Sequence, residues 1–146
     1  MSLIAPGGGE NELAELVIGC AMAAHSELRP GLDEKLYENA MCIEFSERGI
    51  GFDQQKNYAV HYHGKFIGRL IPDLIVADKL IVDLKVVDSF LDQHVAQMLG
   101  YLSITGLRVG LLLNFKHSSL QVKRVIAPTR SAKLNPPPDS PPEGHE

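Results

Sequence analysis

The chain has 146 residues, of which 45% are hydrophobic, and this suits one domain with a sizeable buried core. It has no apolar run of transmembrane length, and its start lacks the basic and long apolar regions of a signal peptide, so we expect a cytoplasmic protein without a membrane partner. The net charge of −4 argues against tight non-specific DNA binding, although a local basic patch is compatible with that total.

The first element is predicted to be a helix over residues 10–28, after a flexible leader at residues 1–9. Arg29-Pro30-Gly31 ends this helix, and His25 near that end is expected to cap it or to lie at the edge of the core. Cys20 and Cys42, in the first two helical patterns, are expected to be buried and reduced. The apolar stripe of the first helix contains Leu13, Leu16, Val17, Cys20, Ala24 and Leu28.

A second helix is predicted over residues 33–48, because it begins with acidic side chains, which the helix dipole stabilises in the first turn. Its opening contains Gly31, Glu34 and Tyr37 in the pattern G-x-x-E-x-x-Y. The residues expected to face the core are Leu36, Ala40, Ile43 and Phe45.

A β-hairpin is predicted over residues 58–70, with its turn at His63-Gly64-Lys65. His61 and His63 are two positions apart, which predicts that they share one face of a strand. A zinc site would need further ligands, and no cysteine-rich pair supplies them, so exposed histidines are the favoured interpretation.

Two short apolar strands are predicted at residues 71–76 and 80–87, joined by a tight turn. Asp73, Asp83 and Lys85 interrupt them, and charges in such strands are unfavourable unless they are paired, hydrated or metal-bound. Side chains alternate along a strand, so Asp83 and Lys85 should point to the same face. Antiparallel pairing would also bring Asp73 close to Asp83.

The last elements are a helix over residues 90–105, capped by Asp88 or Ser89, and strands at 107–115 and 120–126. The helix would connect the Asp83 strand to a parallel, fully buried strand by a right-handed crossover. Residues 128–146 are rich in proline and are predicted to form a disordered tail. The helix residues expected to pack inward are Leu91, Val95, Met98, Leu99 and Leu102.

Pro72-Asp73, followed after nine residues by Asp83-Leu84-Lys85, resembles the PD-(D/E)xK motif of restriction endonucleases and RecB-type nucleases. The G-x-x-E-x-x-Y opening and a helix with Gln97-x-x-x-Tyr101 extend the likeness over residues 16–126. The chain is identified by this resemblance as a member of the GxxExxY family, a small-protein branch of the PD-(D/E)xK nuclease superfamily. The resemblance implies an α/β domain at residues 10–127, with a restriction-endonuclease-like αβββαβ core and a mixed central sheet flanked by helices.

The resemblance also implies a metal-dependent nuclease that hydrolyses phosphodiester bonds in DNA or, less favoured, in RNA. Mg²⁺ or Mn²⁺ would be held by Asp73, Asp83 and the backbone carbonyl of Leu84, with Glu34 supplying a further carboxylate directly or through water. Lys85 would position or deprotonate the attacking water and offset charge on the phosphate.

Three further residues enter the predicted site through the same resemblance. Tyr37, Gln97 and Tyr101 would contact the substrate strand or brace the catalytic groups, although Gln97 and Tyr101 also suit the edge of an ordinary amphipathic helix. Asp83 stands where relatives commonly carry Glu, which keeps the charge but shortens the side chain by one methylene.

Other interpretations stay open from the sequence alone. Asp73 and Asp83 could be neutralised by Lys85 in a buried salt-bridge network. The chain could be a non-catalytic nucleic-acid-binding or accessory protein that keeps the nuclease fold, because fold does not determine function. A homo-oligomer is also open, since nothing in the sequence decides the oligomeric state.

Overall fold

The computed structural model describes residues 9–128, so the predicted leader and tail lie outside the described residues except for Gly9 and Pro128. Within that range, two helices, five strands, a third helix and two further strands follow one another, which is the predicted order with the addition of one short strand, β1. The elements are α1 (Glu10–Leu28), α2 (Glu34–Glu47), β1 (Phe52–Gln54), β2 (Tyr58–Tyr62), β3 (Lys65–Leu70), β4 (Leu74–Val76), β5 (Leu80–Lys85), α3 (Asp92–Thr105), β6 (Val109–Asn114) and β7 (Gln121–Ile126).

The centre of the fold is a five-stranded sheet in the order β1-β4-β5-β6-β7. The pair β5–β6 is parallel and the other neighbours are antiparallel, because α3 carries the chain across the sheet between β5 and β6. Strands β2 and β3 form a separate two-stranded sheet. The mixed α/β architecture predicted from the sequence is therefore confirmed.

Helices cover both faces of the central sheet. α1 and α2 pack with Leu80, Val82 and other residues of one face, whereas Met98 and Leu102 of α3 pack on the opposite face. Every residue of β6 is buried, as expected for a strand covered on both faces. Among residues 9–128, none of the helices combines the length and apolar character needed to cross a membrane.

A two-residue turn sets the register of β4 and β5. Ala77 and Asp78 have φ angles of 53° and 56°, and the Lys79 backbone N–H donates to the Val76 carbonyl at 3.0 Å. This geometry is that of a type I′ turn, whose twist matches that of paired strands. Leu74 consequently lies opposite Val82, and the residue before Leu74, Asp73, comes beside Asp83.

The prediction for the buried face of α2 was wrong in part. Leu36 and Ile43 are 49% and 58% exposed, and the buried stripe is instead formed by Tyr37, Met41 and Phe45. These three residues repeat every four positions, so their side chains stack along one helix face. The buried stripe keeps the predicted Phe45 and adds Tyr37 and Met41, which the prediction did not include.

Helix α3 also starts later than predicted. Its N-cap is Leu91 rather than Asp88 or Ser89, and the His94 ring Nδ1 accepts a hydrogen bond from the Leu91 backbone N–H at 2.9 Å. Leu28 and Leu91 are exposed at the last residue of α1 and at the N-cap of α3, and Leu99 is exposed because it lies beside the buried stripe of α3.

The histidines of the hairpin do not share a strand face. His63 lies in the turn with φ 50° and stacks on Tyr62, whereas His61 belongs to β2 and contacts Phe66. Both cysteines are free; Cys20 is buried and Cys42 is partly exposed, which differs from the predicted full burial.

Candidate active site

Two aspartates are held against each other where β4 begins and β5 approaches its end. The Asp73 backbone N–H donates to Asp83 Oδ1 at 3.2 Å, and the Leu84 backbone N–H donates to Asp73 Oδ2 at 2.9 Å. Each carboxylate is thus fixed by a backbone amide from the segment that carries the other. Strand pairing, rather than flexible side-chain contact, determines the position of both groups.

Lys85 lies on the same face of β5 as Asp83, as the strand alternation predicted. Its Nζ is 3.4 Å from Asp83 Oδ2 and donates a hydrogen bond to Gln97 Oε1 at 3.0 Å. Gln97 belongs to α3, so the crossover helix positions the ammonium over the end of the sheet. The structure therefore brings Asp73, Asp83, Lys85 and Gln97 together.

Acidic side chains outnumber basic ones in this cluster. Burial raises the pKa of Asp73 to about 7, and the negative charges of Asp83, Glu38 and Glu34 add to this effect, while the Leu84 N–H opposes it. Burial also raises the pKa of Tyr101 to about 12, with smaller contributions from Asp83 and Asp73. The phenol of Tyr101 thus lies within the field of both carboxylates.

Helix α2 brings two further acidic residues to the cluster. Glu34 Oε2 accepts a hydrogen bond from the Val86 backbone N–H at 3.3 Å, which links the start of α2 to the end of β5. Glu38 lies one turn later and is only 3% exposed. The i,i+4 spacing from Glu34 places both carboxylates on the same side of the helix.

Glu38 is a site residue that the sequence analysis missed. Its Oε2 accepts hydrogen bonds from Gln54 at 2.7 Å, from Gln55 at 3.0 Å and from Lys35 at 3.1 Å. Its charge also raises the pKa of Asp73. The spacing from Glu34 was the available signal, but Gln54 and Gln55 reach Glu38 only through the fold.

Tyr37 occupies a different environment from the other predicted site residues. Its side chain is fully buried and stacks on Phe115, with ring centroids 4.6 Å apart. Its hydroxyl donates to the Arg29 carbonyl at 2.6 Å and accepts from the Leu32 backbone N–H at 3.2 Å. These contacts brace the loop that leads into Glu34.

The donor atoms suit a hard divalent cation. Within residues 9–128, no three His, Cys, Asp or Glu side chains converge as a preformed metal cage. Mg²⁺ is commonly bound by one or two carboxylates together with waters and substrate phosphates, so the pair Asp73–Asp83 fits that chemistry. Burial, followed by the charge of Asp83, raises the pKa of Asp73, and a cation bound beside it would favour its ionised form.

The salt-bridge alternative accounts for only part of this arrangement. Lys85 forms an ion pair with Asp83, as that interpretation requires, and a hydrogen bond with Gln97, but among the ion pairs of residues 9–128 it does not pair with Asp73. Lys35 is engaged by Glu38 on the other side of the cluster. The ion pair therefore explains the charge of Asp83 and leaves that of Asp73 without a cationic partner among the ion pairs found in residues 9–128.

Paired strands that carry Pro-Asp and Asp-x-Lys at one end of a mixed sheet, with helices on both faces, define a restriction-endonuclease-like fold. The crystal structure of SSO0001 is similar, with a TM-score of 0.55 and 17% sequence identity over 86% of this chain. The alignment covers 63% of that chain, so the protein described here spans less than two thirds of its length.

The family is shown by sequence. Residues 11–125 match the model of the PD-(D/E)XK nuclease superfamily, and the chain belongs to that superfamily. Comparison with curated proteins gives no significant match. Nuclease-type chemistry, as the motif at Asp73, Asp83 and Lys85 predicted, is thus the class of function that the family indicates.

Proposed function

We propose that the protein is a divalent-metal-dependent nuclease that hydrolyses phosphodiester bonds in DNA or, less favoured, in RNA. The observation that carries this proposal is the pair of partly buried Asp73 and buried Asp83, held by backbone amides, in which Lys85 forms an ion pair with Asp83 alone. We also assign the chain to the GxxExxY branch of the superfamily, because Gly31, Glu34 and Tyr37 have that spacing at the opening of α2.

The proposed ligands of Mg²⁺ or Mn²⁺ are Asp73, Asp83 and the Leu84 carbonyl, with Glu34 reached directly or through water. A cation bound there would supply Lewis acidity to the scissile phosphate and to the water that attacks it. Glu34 is already tied to the end of β5 by the Val86 amide, which supports its inclusion.

In this proposal, Lys85 contacts the scissile phosphate or the attacking water. Its contacts with Asp83 and Gln97 use two of the three donors of an ammonium group. The third donor can contact a phosphate oxygen or the attacking water, offsetting charge as the reaction proceeds. Gln97 acts as a positioning residue in this proposal because it holds Lys85.

Tyr101 is proposed to act as a hydrogen-bond donor. A pKa of about 12 keeps its phenol protonated at neutral pH, so its O–H remains available to a phosphate oxygen. Tyr37, which lies in the core, is proposed to brace the α1–α2 loop and thereby the position of Glu34.

The test combines metal titration with cleavage. Calorimetry with Mg²⁺ and Mn²⁺ should detect binding to the wild type and its loss in Asp83→Ala. Labelled single-stranded DNA, duplex DNA and RNA should then show metal-dependent cleavage that Asp83→Ala and Lys85→Ala abolish and that Asp53→Ala, an exposed change on β1, retains. Cleavage that persists in both site variants would reveal a contaminating enzyme and refute the proposal.

A second candidate is a binding protein that has lost turnover. The ion pair between Lys85 and Asp83 favours it, because a lysine committed to a salt bridge is less available to substrate. Metal-dependent cleavage that requires Lys85 would remove this candidate. The cytoplasmic location and a possible homo-oligomer stay predictions from the sequence.

A further inference from the structure

The β2–β3 hairpin projects from the same end of the sheet as the candidate active site. β1 ends at Gln54, which pairs with Leu74, and the Gln55 backbone N–H donates to the Asp73 carbonyl at 2.9 Å. The hairpin follows at once and returns at Leu70, three residues before Asp73. That connection spans at most about 11 Å, so both ends of the hairpin start beside the carboxylates.

The hairpin exposes aromatic rings in defined positions. Tyr62 and Phe66 are 53% and 54% exposed. The Arg69 guanidinium carbon lies 5.0 Å from the Phe66 ring centroid, and the His63 ring stacks on Tyr62 at 4.1 Å. The strand register places Phe66 beside His61 and Tyr62 beside Lys65, so the rings of Phe66 and Tyr62 are on opposite faces of the hairpin. We call Phe66 and Arg69 on one face, with Tyr62 and His63 on the other, the hairpin platform.

The same segment is locally basic. Residues 56–72 contain Lys56, Lys65 and Arg69 and no Asp or Glu, within a chain whose net charge is −4. Lys56 lies 3.9 Å from Asp53, so Lys65 and Arg69 are the cations of the hairpin outside that ion pair. A local excess of positive charge attracts polyanions, and the hairpin is one of the segments of this acidic protein that has such an excess.

We infer that the hairpin platform binds an unpaired nucleic-acid strand and guides it to the carboxylates. Exposed rings stack on unpaired bases of any sequence, and a guanidinium over a ring can contact phosphate and base together. Bases inside a duplex are stacked on each other and are not available to such rings. This inference rests on the proposed function and narrows its substrate to single-stranded segments.

Strand binding is measured separately from cleavage. The probe is a labelled oligothymidylate of about 20 nucleotides, compared with a duplex of equal length by fluorescence anisotropy in EDTA. The double variant Tyr62→Ala/Phe66→Ala should weaken single-strand binding by roughly 10- to 100-fold, and Phe66→Trp should retain it. Duplex binding should be weaker than single-strand binding in the wild type.

A matched pair of arginines tests the charge. Arg69→Ala should reduce the slope of log K against log salt by about 0.7, the amount expected for one lost contact to a single strand. Arg108 is exposed just before β6, at the end of the sheet opposite Lys85, so Arg108→Ala should leave both the affinity and the slope unchanged. Circular dichroism would verify that each variant is folded.

Three outcomes would overturn the inference. Wild-type affinity in the double variant would do so, as would equal losses for Arg69→Ala and Arg108→Ala. A wild type that binds no oligonucleotide, with a double variant that changes oligomeric state, would assign the hairpin to self-association instead.

Failure of the inference can be distinguished from failure of the proposed function. If Lys85→Ala abolishes cleavage but the hairpin variants bind normally, the nuclease assignment stands without the hairpin platform. If the hairpin variants lose binding and no metal supports cleavage by the wild type, the binding surface stands without hydrolysis.

Discussion

Replacing Asp73 by Asn should stabilise the protein at pH 8 while removing its metal-dependent activity. Burial and neighbouring carboxylates disfavour the ionised form of Asp73 and raise its pKa from 3.8 to about 7. Asn has nearly the same shape and carries no charge. Its amide oxygen can still accept the hydrogen bond that the Leu84 N–H donates to Asp73.

The expected gain in the free energy of unfolding follows from the difference between the pKa of Asp73 in the unfolded chain and in the folded protein. The unfolded carboxyl loses its proton near pH 3.8, whereas the folded carboxyl keeps it until about pH 7. The folded state binds more protons in that window, so the free energy of unfolding falls as the pH rises and levels off above about pH 7. At about 1.4 kcal/mol per pH unit, the loss between pH 5 and pH 7 is on the order of 3 kcal/mol.

Urea unfolding at pH 5 and pH 8 measures this effect directly. The free energy of unfolding of the wild type should be lower at pH 8 than at pH 5. In Asp73→Asn this difference between the two pH values should be smaller by on the order of 2–4 kcal/mol. Asp78→Asn, an exposed change in the β4–β5 turn, is the control and should behave as the wild type. Millimolar Mg²⁺ at pH 8 should stabilise the wild type but not Asp73→Asn, because only a folded carboxylate pair binds the cation.

The opposite result would refute this reasoning. If Asp73→Asn destabilises the protein at pH 8, or keeps the full pH dependence, the charge of Asp73 is already compensated in the folded state. The buried salt-bridge network would then be the better description of the site.

Three further predictions test other parts of the structure. Lys85→Ala should lower the cleavage rate by about 10²–10³, as for other lost contacts to a developing charge, and Gln97→Ala by less, in a single-turnover assay. Tyr37→Phe should lower the free energy of unfolding in urea by about 1 kcal/mol, because two partly buried backbone groups lose their hydrogen-bond partner. Gly110→Ala should lower the free energy of unfolding by about 1–3 kcal/mol, because a Cβ there overlaps the Met98 side chain. This loss should be smaller when the substitution is made in a Met98→Ala variant. A loss unchanged by Met98→Ala would contradict the assigned contact.

The elements that the sequence predicted well depend on local geometry. Alternation along β5 puts Asp83 and Lys85 on one face, and their charged atoms are 3.4 Å apart. The tight turn at Ala77 and Asp78 brings Asp73 to Asp83, as antiparallel pairing predicted. These relations need only strand period and turn length, both of which can be read from a short stretch of chain.

The features that were missed depend on contacts between distant segments. β1 has only three residues, Phe52–Gln54, and becomes a strand because β4 offers it a pairing edge. The burial of Glu38 depends on Gln54 and Gln55, which lie 16 and 17 positions further along the chain. No local pattern distinguishes such a buried glutamate from the many exposed ones on helix surfaces.

The carboxylate cluster and the basic hairpin, at the same end of the molecule, should act on a nucleic-acid strand in opposite ways. The carboxylate cluster repels a polyanion, so by itself it would oppose the approach of a phosphodiester strand. The basic hairpin can attract that strand without help from the cluster, while Glu38 pairs with Lys35 and Asp73 has no cationic partner among the ion pairs of residues 9–128. Strand affinity should therefore follow the charge of the hairpin and the salt concentration, whereas turnover should follow the divalent metal and Lys85. The proposed function and the proposed hairpin platform thus assign strand capture and hydrolysis to different regions, and variants in one region should leave the other measurable.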